Sequence, residues 1–137
     1  MSLIVSTADF SGIASGGAKC VNAVASNNGK AVAVIVFSGA DGSIKACLNK
    51  CAHMDSKFAP DVEDMGKMKC TFHGWKLDPA TMSYVEGSNP KVMGFELKME
   101  GAKRKQPELT AIKNADGSLT LTVPEGMKVD GGGCVLL

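Results

Sequence analysis

The chain has 137 residues, with 15 Lys and Arg against 14 Asp and Glu and a net charge of +1, and 45% of its residues are hydrophobic. That balance fits one domain large enough to bury a core without disulfides, and it lacks the basic bias of a nucleic-acid-binding surface. The longest apolar run, Ala31 to Phe37, is far short of the roughly 18 residues that a membrane span needs, and no basic segment marks a secretory or transit signal. Residence in the cytosol is therefore expected.

In chain order, Leu3 to Ser6 reads as a short strand and Thr7 to Phe10 as a helical turn, broken at Ser15-Gly16-Gly17. Ala18 to Ala25 and Ala31 to Ser38 read as strands joined through Ser26-Asn27-Asn28-Gly29, whose Asn and Gly tolerate the positive φ of a tight connection. The second of these is almost continuously apolar, which suits a strand covered on both faces. Asp41-Gly42 turns the chain into Ser43 to Leu48. From Met54 to Gly66 the pattern is that of a loop carrying Asp61, Glu63 and Asp64.

Lys67 to Cys70 is the next strand, and Trp75 to Asp78 another, closed by Pro79-Ala80-Thr81. After a break at Gly87-Ser88-Asn89-Pro90, Gly94 to Met99 resumes alternation until Lys103-Arg104-Lys105-Gln106-Pro107 interrupts it. Leu109 to Lys113 and Ser118 to Val123 form a last hairpin over Asp116-Gly117. Short strands with frequent turn signals and no long helical period predict an all-β domain over residues 1–124. Residues 125–137, with three consecutive glycines, read as a flexible tail.

The chain has two histidines, and each lies beside a cysteine: Cys51-Ala52-His53 and Cys70-Thr71-Phe72-His73. Two thiolates and two imidazoles delivered by two loops, within about residues 47–80, make a four-ligand metal site. Such a donor set suits a structural Zn²⁺ ion or an iron–sulfur centre. A Cys2His2 zinc finger groups its cysteines apart from its histidines, whereas each loop here is mixed. The remaining cysteines are Cys20, Cys47 and Cys134. The odd total argues against a disulfide framework, and Cys20 and Cys47 are expected to be buried free thiols acting as small hydrophobes.

The pattern C-x-H-x16-C-x2-H followed by Gly74-Trp75 resembles the Rieske [2Fe–2S] family, and the likeness of strands and turns runs from about Leu3 to Val123. The resemblance implies an antiparallel β-sandwich with two cluster-binding loops at one tip. It also implies Cys51 and Cys70 on the inner iron and His53 and His73 on the outer. Met54, Pro60, Phe72, Gly74 and Trp75 would surround the cluster, with Trp75 as a packing residue. Two ferric ions, two sulfides and two thiolates sum to zero charge, so an added electron costs less than in an all-cysteine cluster.

High-potential members carry an extra cysteine in each loop and a serine after the His-Gly pair, and this chain has Ser56, Phe72 and Trp75 at those positions. A low-potential centre near the lower end of the Rieske range, about −150 mV, is therefore expected. Rieske oxygenases also need a mononuclear iron held by further histidines, and both histidines here are committed. The expectation is thus a one-electron carrier without its own catalytic domain, a Rieske-type ferredoxin serving a reductase and a terminal oxygenase or similar redox partner. The alternatives are an iron–sulfur or redox sensor and a structural zinc domain.

The final residues, Cys134-Val135-Leu136-Leu137, match a C-a-a-X prenylation signal of the geranylgeranyl type at Cys134. Attachment to the cytosolic face of a membrane is expected in a eukaryotic host. One lipid chain usually requires a second signal, for which Lys103-Arg104-Lys105 is the candidate.

Overall fold

Alternation of small and branched apolar residues drives the first half of the chain into a meander, seen in a computed structural model that describes residues 1–50, 58–60, 67–70, 76–85, 91–92, 95–96, 106–127 and 129. The described regular elements are β-strands apart from one helix of 5 residues, so the fold is all-β with antiparallel sheets. The strands are β1 (Ser2–Val5), β2 (Gly17–Ala25), β3 (Ala31–Ser38) and β4 (Ile44–Leu48), then β5 (Phe58–Pro60), β6 (Met68–Cys70), β7 (Lys76–Asp78) and β8 (Ser83–Tyr84), then β9 (Lys91–Val92), β10 (Phe95–Glu96), β11 (Thr110–Lys113) and β12 (Leu119–Thr122). Helix α1 spans Thr7–Ser11, and the Ser6 hydroxyl caps it by accepting from the Asp9 N–H at 3.1 Å.

Six strands form one sheet in the order β11-β12-β1-β2-β3-β4. Its two edges approach each other, because Leu109 bridges Ala46 and its N–H donates to the Ala46 carbonyl at 2.8 Å. The curled sheet encloses one apolar cluster that includes Leu3, Val5, Val21, Val34, Val36, Leu119 and Leu121. The β2–β3 connection closes through Gly29 at φ 70° and the β3–β4 connection through Gly42 at φ 88°, backbone that glycine adopts without a Cβ clash.

Four strands form the second sheet, β5-β6-β7-β8. Strand β3 is buried on both faces, as its continuous apolar run predicts: Val32, Val34 and Val36 enter the curled sheet, while Ile35 joins Cys47, Phe58, Met68, Leu77 and Met82 in a second cluster beneath the small sheet. Period-two alternation therefore assigns Val32, Val34 and Val36 to one core and Ile35 to the other.

Three strands differ from the sequence expectation. β5 lies in a stretch expected to be loop, and it pairs with β6 through Phe58↔Cys70, Ala59↔Lys69 and Pro60↔Met68. A proline is tolerated there because β5 is an edge strand. β8 and β9 are likewise unexpected, since strands of two residues carry no readable period. Met127 and Val129, placed by sequence in a tail, pack against the large core. No described helix is long and apolar enough to cross a membrane.

Candidate metal centre

The two loops that carry the Cys–His pairs begin and end on the small sheet and its neighbour. The first leaves from the end of β4 and enters β5 at Phe58, and the second leaves β6 at Cys70 and enters β7 at Lys76. The pairings Phe58↔Cys70 and Lys69↔Lys76 put three of these four loop ends at the same end of the small sheet. The fourth is tied to them by side chains. Antiparallel geometry thus roots both loops at one end of the small sheet.

Buried polar groups fix the fourth end. Asn49 is 4% exposed, and its N–H donates to the Ala33 carbonyl of β3 at 3.0 Å. Its carboxamide oxygen accepts the Phe58 N–H at 2.6 Å, and its amide nitrogen donates to the Phe58 carbonyl at 3.3 Å. One side chain therefore pairs with Phe58 as a neighbouring strand would, closing the first loop at its base. The same nitrogen donates to Cys20 Sγ at 3.2 Å. Gln106, also 4% exposed, donates through Nε2 to the Lys50 carbonyl at 2.5 Å and accepts the Tyr84 hydroxyl at 2.8 Å. The Tyr84 ring lies 6.1 Å from that of Phe58, so apolar packing and hydrogen bonding meet at the residue where the first loop ends.

Cys51, His53, Met54, Phe72, His73, Gly74, Trp75 and Cys134 lie outside the described residues, as do Ser56, the Asp61–Glu63–Asp64 group and Lys103-Arg104-Lys105. Cys70 and Pro60 are described as the last residues of β6 and β5. Among the described residues no group of three or more His, Cys, Asp and Glu could hold a metal ion. The chemistry of the donor set, two thiols and two imidazoles on loops with a shared base, fits a two-iron cluster.

The two spare cysteines part company. Cys47 is free and fully buried, as expected, and burial pushes its thiol far above its ordinary range, with Glu108 adding to the effect. Cys20, expected to be a free thiol, is instead disulfide-bonded. It packs from β2 against the second core cluster, and its apolar neighbours in sequence carry no sign of the bond. Asn49 and Gln106 were not singled out by sequence reasoning. Asn49 stands two residues before Cys51, a position from which a polar side chain can turn back into a loop base, but nothing local marks Gln106.

Residues 12–113 match the Rieske [2Fe–2S] domain family. The chain is 35% identical over 97 residues to the cytidine monophosphate-N-acetylneuraminic acid hydroxylase of Danio rerio, covering 69% of this chain and 14% of that protein. It is 42% identical over 79 residues to the hydroxylase of the same name from Asterias rubens, covering 56% of this chain and 10% of that protein. The chain thus spans a small fraction of the length of these relatives. Among solved structures, a quaternary ammonium Rieske monooxygenase, CntA, bound to an inhibitor superposes with a TM-score of 0.52 at 14% identity, covering 84% of this chain and 29% of that one. That likeness is one of fold.

Proposed function

Because the chain belongs to the Rieske [2Fe–2S] domain family, whose cluster is its cofactor, we propose that it is a low-potential one-electron carrier serving a catalytic site outside these 137 residues, on a separate oxygenase or other redox enzyme. The observation that carries this reading is the shared base of the two Cys–His loops, fixed by Phe58↔Cys70 and Lys69↔Lys76. In it, the thiolates of Cys51 and Cys70 and the imidazoles of His53 and His73 hold the cluster. When bound, the cluster takes up and releases one electron.

The chain's own residues do the rest. Deprotonated thiolates supply the negative charge that balances the metal, and neutral imidazoles supply ligands without charge. Each histidine keeps one ring N–H that is acidified in the oxidised state, so reduction and protonation are coupled at His53 and His73. Met54, Pro60, Phe72, Gly74 and Trp75 form the surround that limits water. The absence of a serine at Trp75 and of loop cysteines at Ser56 and Phe72 supports a potential near about −150 mV. The relatives named as hydroxylases support oxygenation as the class of reaction that consumes the electron.

Redox titration tests the proposal: a midpoint near the lower end of the Rieske range, with repeated reduction by a flavin reductase and reoxidation without loss of iron, is expected. A midpoint well above zero would contradict the low-potential assignment, and loss of the cluster in each cycle would contradict a carrier. Membrane attachment through geranylgeranylated Cys134 belongs to the same proposal and rests on the Cys134-Val135-Leu136-Leu137 tetrapeptide alone. Mass spectrometry of protein from its native host should find the added lipid, and an unmodified Cys134 would remove this element.

A further inference from the structure

Gln106 lies 56 residues beyond the residue whose carbonyl it binds, yet it is 4% exposed and reaches the root of the first loop. Its backbone N–H donates to the Met82 carbonyl at 2.7 Å, its Nε2 to the Lys50 carbonyl at 2.5 Å, and its Oε1 accepts the Tyr84 hydroxyl at 2.8 Å. Lys50 immediately precedes Cys51. Tyr84 pairs with Leu77 of β7, and the neighbouring Val85 N–H donates to the Lys76 carbonyl at 2.8 Å, where the second loop ends. One carboxamide therefore spans from the root of the first loop to the strand that anchors the second.

The cost of this arrangement shows at Met82. It is a non-glycine residue at φ 54° and is fully buried, a conformation that persists only when its surroundings over-determine it. The Gln106 N–H on its carbonyl and the second core around its side chain supply that constraint. The orientation of this buried carboxamide is fixed at Lys50, because rotating it by half a turn would set its oxygen against the Lys50 carbonyl, acceptor to acceptor.

We propose that Gln106, acting through Lys50 and Tyr84, is a positioning residue of the cluster site: it sets the separation of the two loop roots and with it the geometry in which Cys51–His53 and Cys70–His73 meet one cluster. This rests on the assignment of those four residues as ligands. Donor geometry of metal sites is governed by such supporting hydrogen bonds, whose loss loosens the site without removing a ligand. Asn49 closes the first loop on itself, whereas Gln106 joins the first loop to the second, so the two side chains have separable effects.

The test compares Gln106→Leu and Tyr84→Phe with Asn114→Ala in the full chain. Asn114 makes side-chain hydrogen bonds to Ser118 and Thr120 in the hairpin between β11 and β12, and serves as a control for lost hydrogen bonding away from the loops. Tyr84→Phe removes only the hydroxyl and keeps the ring beside Phe58, so it remains informative if Gln106→Leu fails to fold. The readouts are the line shape of the reduced cluster's EPR signal and the rate at which a chelator strips iron, alongside circular dichroism and thermal unfolding.

The expected result is a broadened or shifted EPR signal and several-fold faster iron loss in Gln106→Leu, a smaller change of the same kind in Tyr84→Phe, and neither in Asn114→Ala even where its melting temperature falls. Unchanged EPR and iron loss in Tyr84→Phe and in any folded Gln106→Leu would overturn the proposal, as would equal effects in Asn114→Ala. Wild-type protein containing neither iron nor labile sulfide would instead overturn the ligand assignment on which it rests.

Discussion

The six-stranded sheet and the four-stranded sheet are built from the same kinds of residue but are held by different means. The first has strands of up to 9 residues and gathers 15 buried hydrophobic residues into one cluster, whereas the second is made of strands of 2 and 3 residues, with 6 in its cluster among the described residues. The large sheet closes on its own side chains. The small one leans on two buried carboxamides, on the face that β3 and β4 lend it and, in the proposed reading, on the metal between its loops. Metal sites couple ligand binding to folding in this way, since the bound ion ties together loops too short of core to order themselves.

Removing the cluster should separate the two regions most sharply. With iron and sulfide stripped, amide exchange at Phe58, Lys69, Leu77 and Val85 is expected to approach that of an open segment, while Val21, Val34 and Leu121 keep their protection. Equal loss of protection in both sheets would show that they unfold as one unit and would break the comparison.

Core truncations sharpen it. Leu121→Ala in the large core is expected to lower global stability by about 2–5 kcal/mol, and Phe58→Ala in the small one by about 3–5 kcal/mol at its own sheet. Both side chains are fully buried. Denaturant unfolding should show the first as a shift of the main transition, and iron release should respond chiefly to the second.

Asn49→Ala removes a side chain that satisfies both backbone groups of Phe58. A cost of about 1–3 kcal/mol is expected for leaving those groups buried and unmet, read as faster exchange of the Phe58 amide with little change in the large sheet. The same cost spread over both sheets would argue against a local clamp.

The smallest effect is a pH dependence in the far hairpin. The hydroxyl and N–H of Ser118 hold the Asp116 carboxyl below its ordinary value of 3.8. A depressed carboxylate stabilises the fold above its unfolded value and loses that contribution as pH falls through the folded one. The difference in melting temperature between wild type and Asp116→Ala should therefore be small at neutral pH and close below pH of about 4. A gap that widened on acidification would reverse the sign.

The contrast between the sheets also explains what could be read from the sequence. Strand β3 was legible to its limits because eight consecutive residues, Ala31–Ser38, carry the signal of burial on both faces. The hairpin of β11 and β12 was legible through Asp116-Gly117 and the alternation that flanks it. β5 and β8 were not, because two or three residues hold no period and Pro60 argues against a strand unless its edge position is known. The four proposed ligands could be named from spacing alone, since metal chemistry restricts residue type more tightly than folding does. Gln106 could not, because its role depends on Lys50 and Tyr84, brought to it by pairings far away in sequence. Cys20 was misjudged because its strand looks apolar, and an apolar stretch of sequence carries no sign of a bond to a distant sulfur.

The central claim is that the two Cys–His loops hold one [2Fe–2S] cluster, and EPR of the dithionite-reduced protein, with iron and labile sulfide measured on the same sample, tests it most directly. The account predicts a Rieske-type signal with two irons and two sulfides per chain, lost when either Cys51→Ser or His73→Ala is introduced. An EPR-silent protein carrying stoichiometric zinc, or a Rieske signal that survives both substitutions, would contradict it.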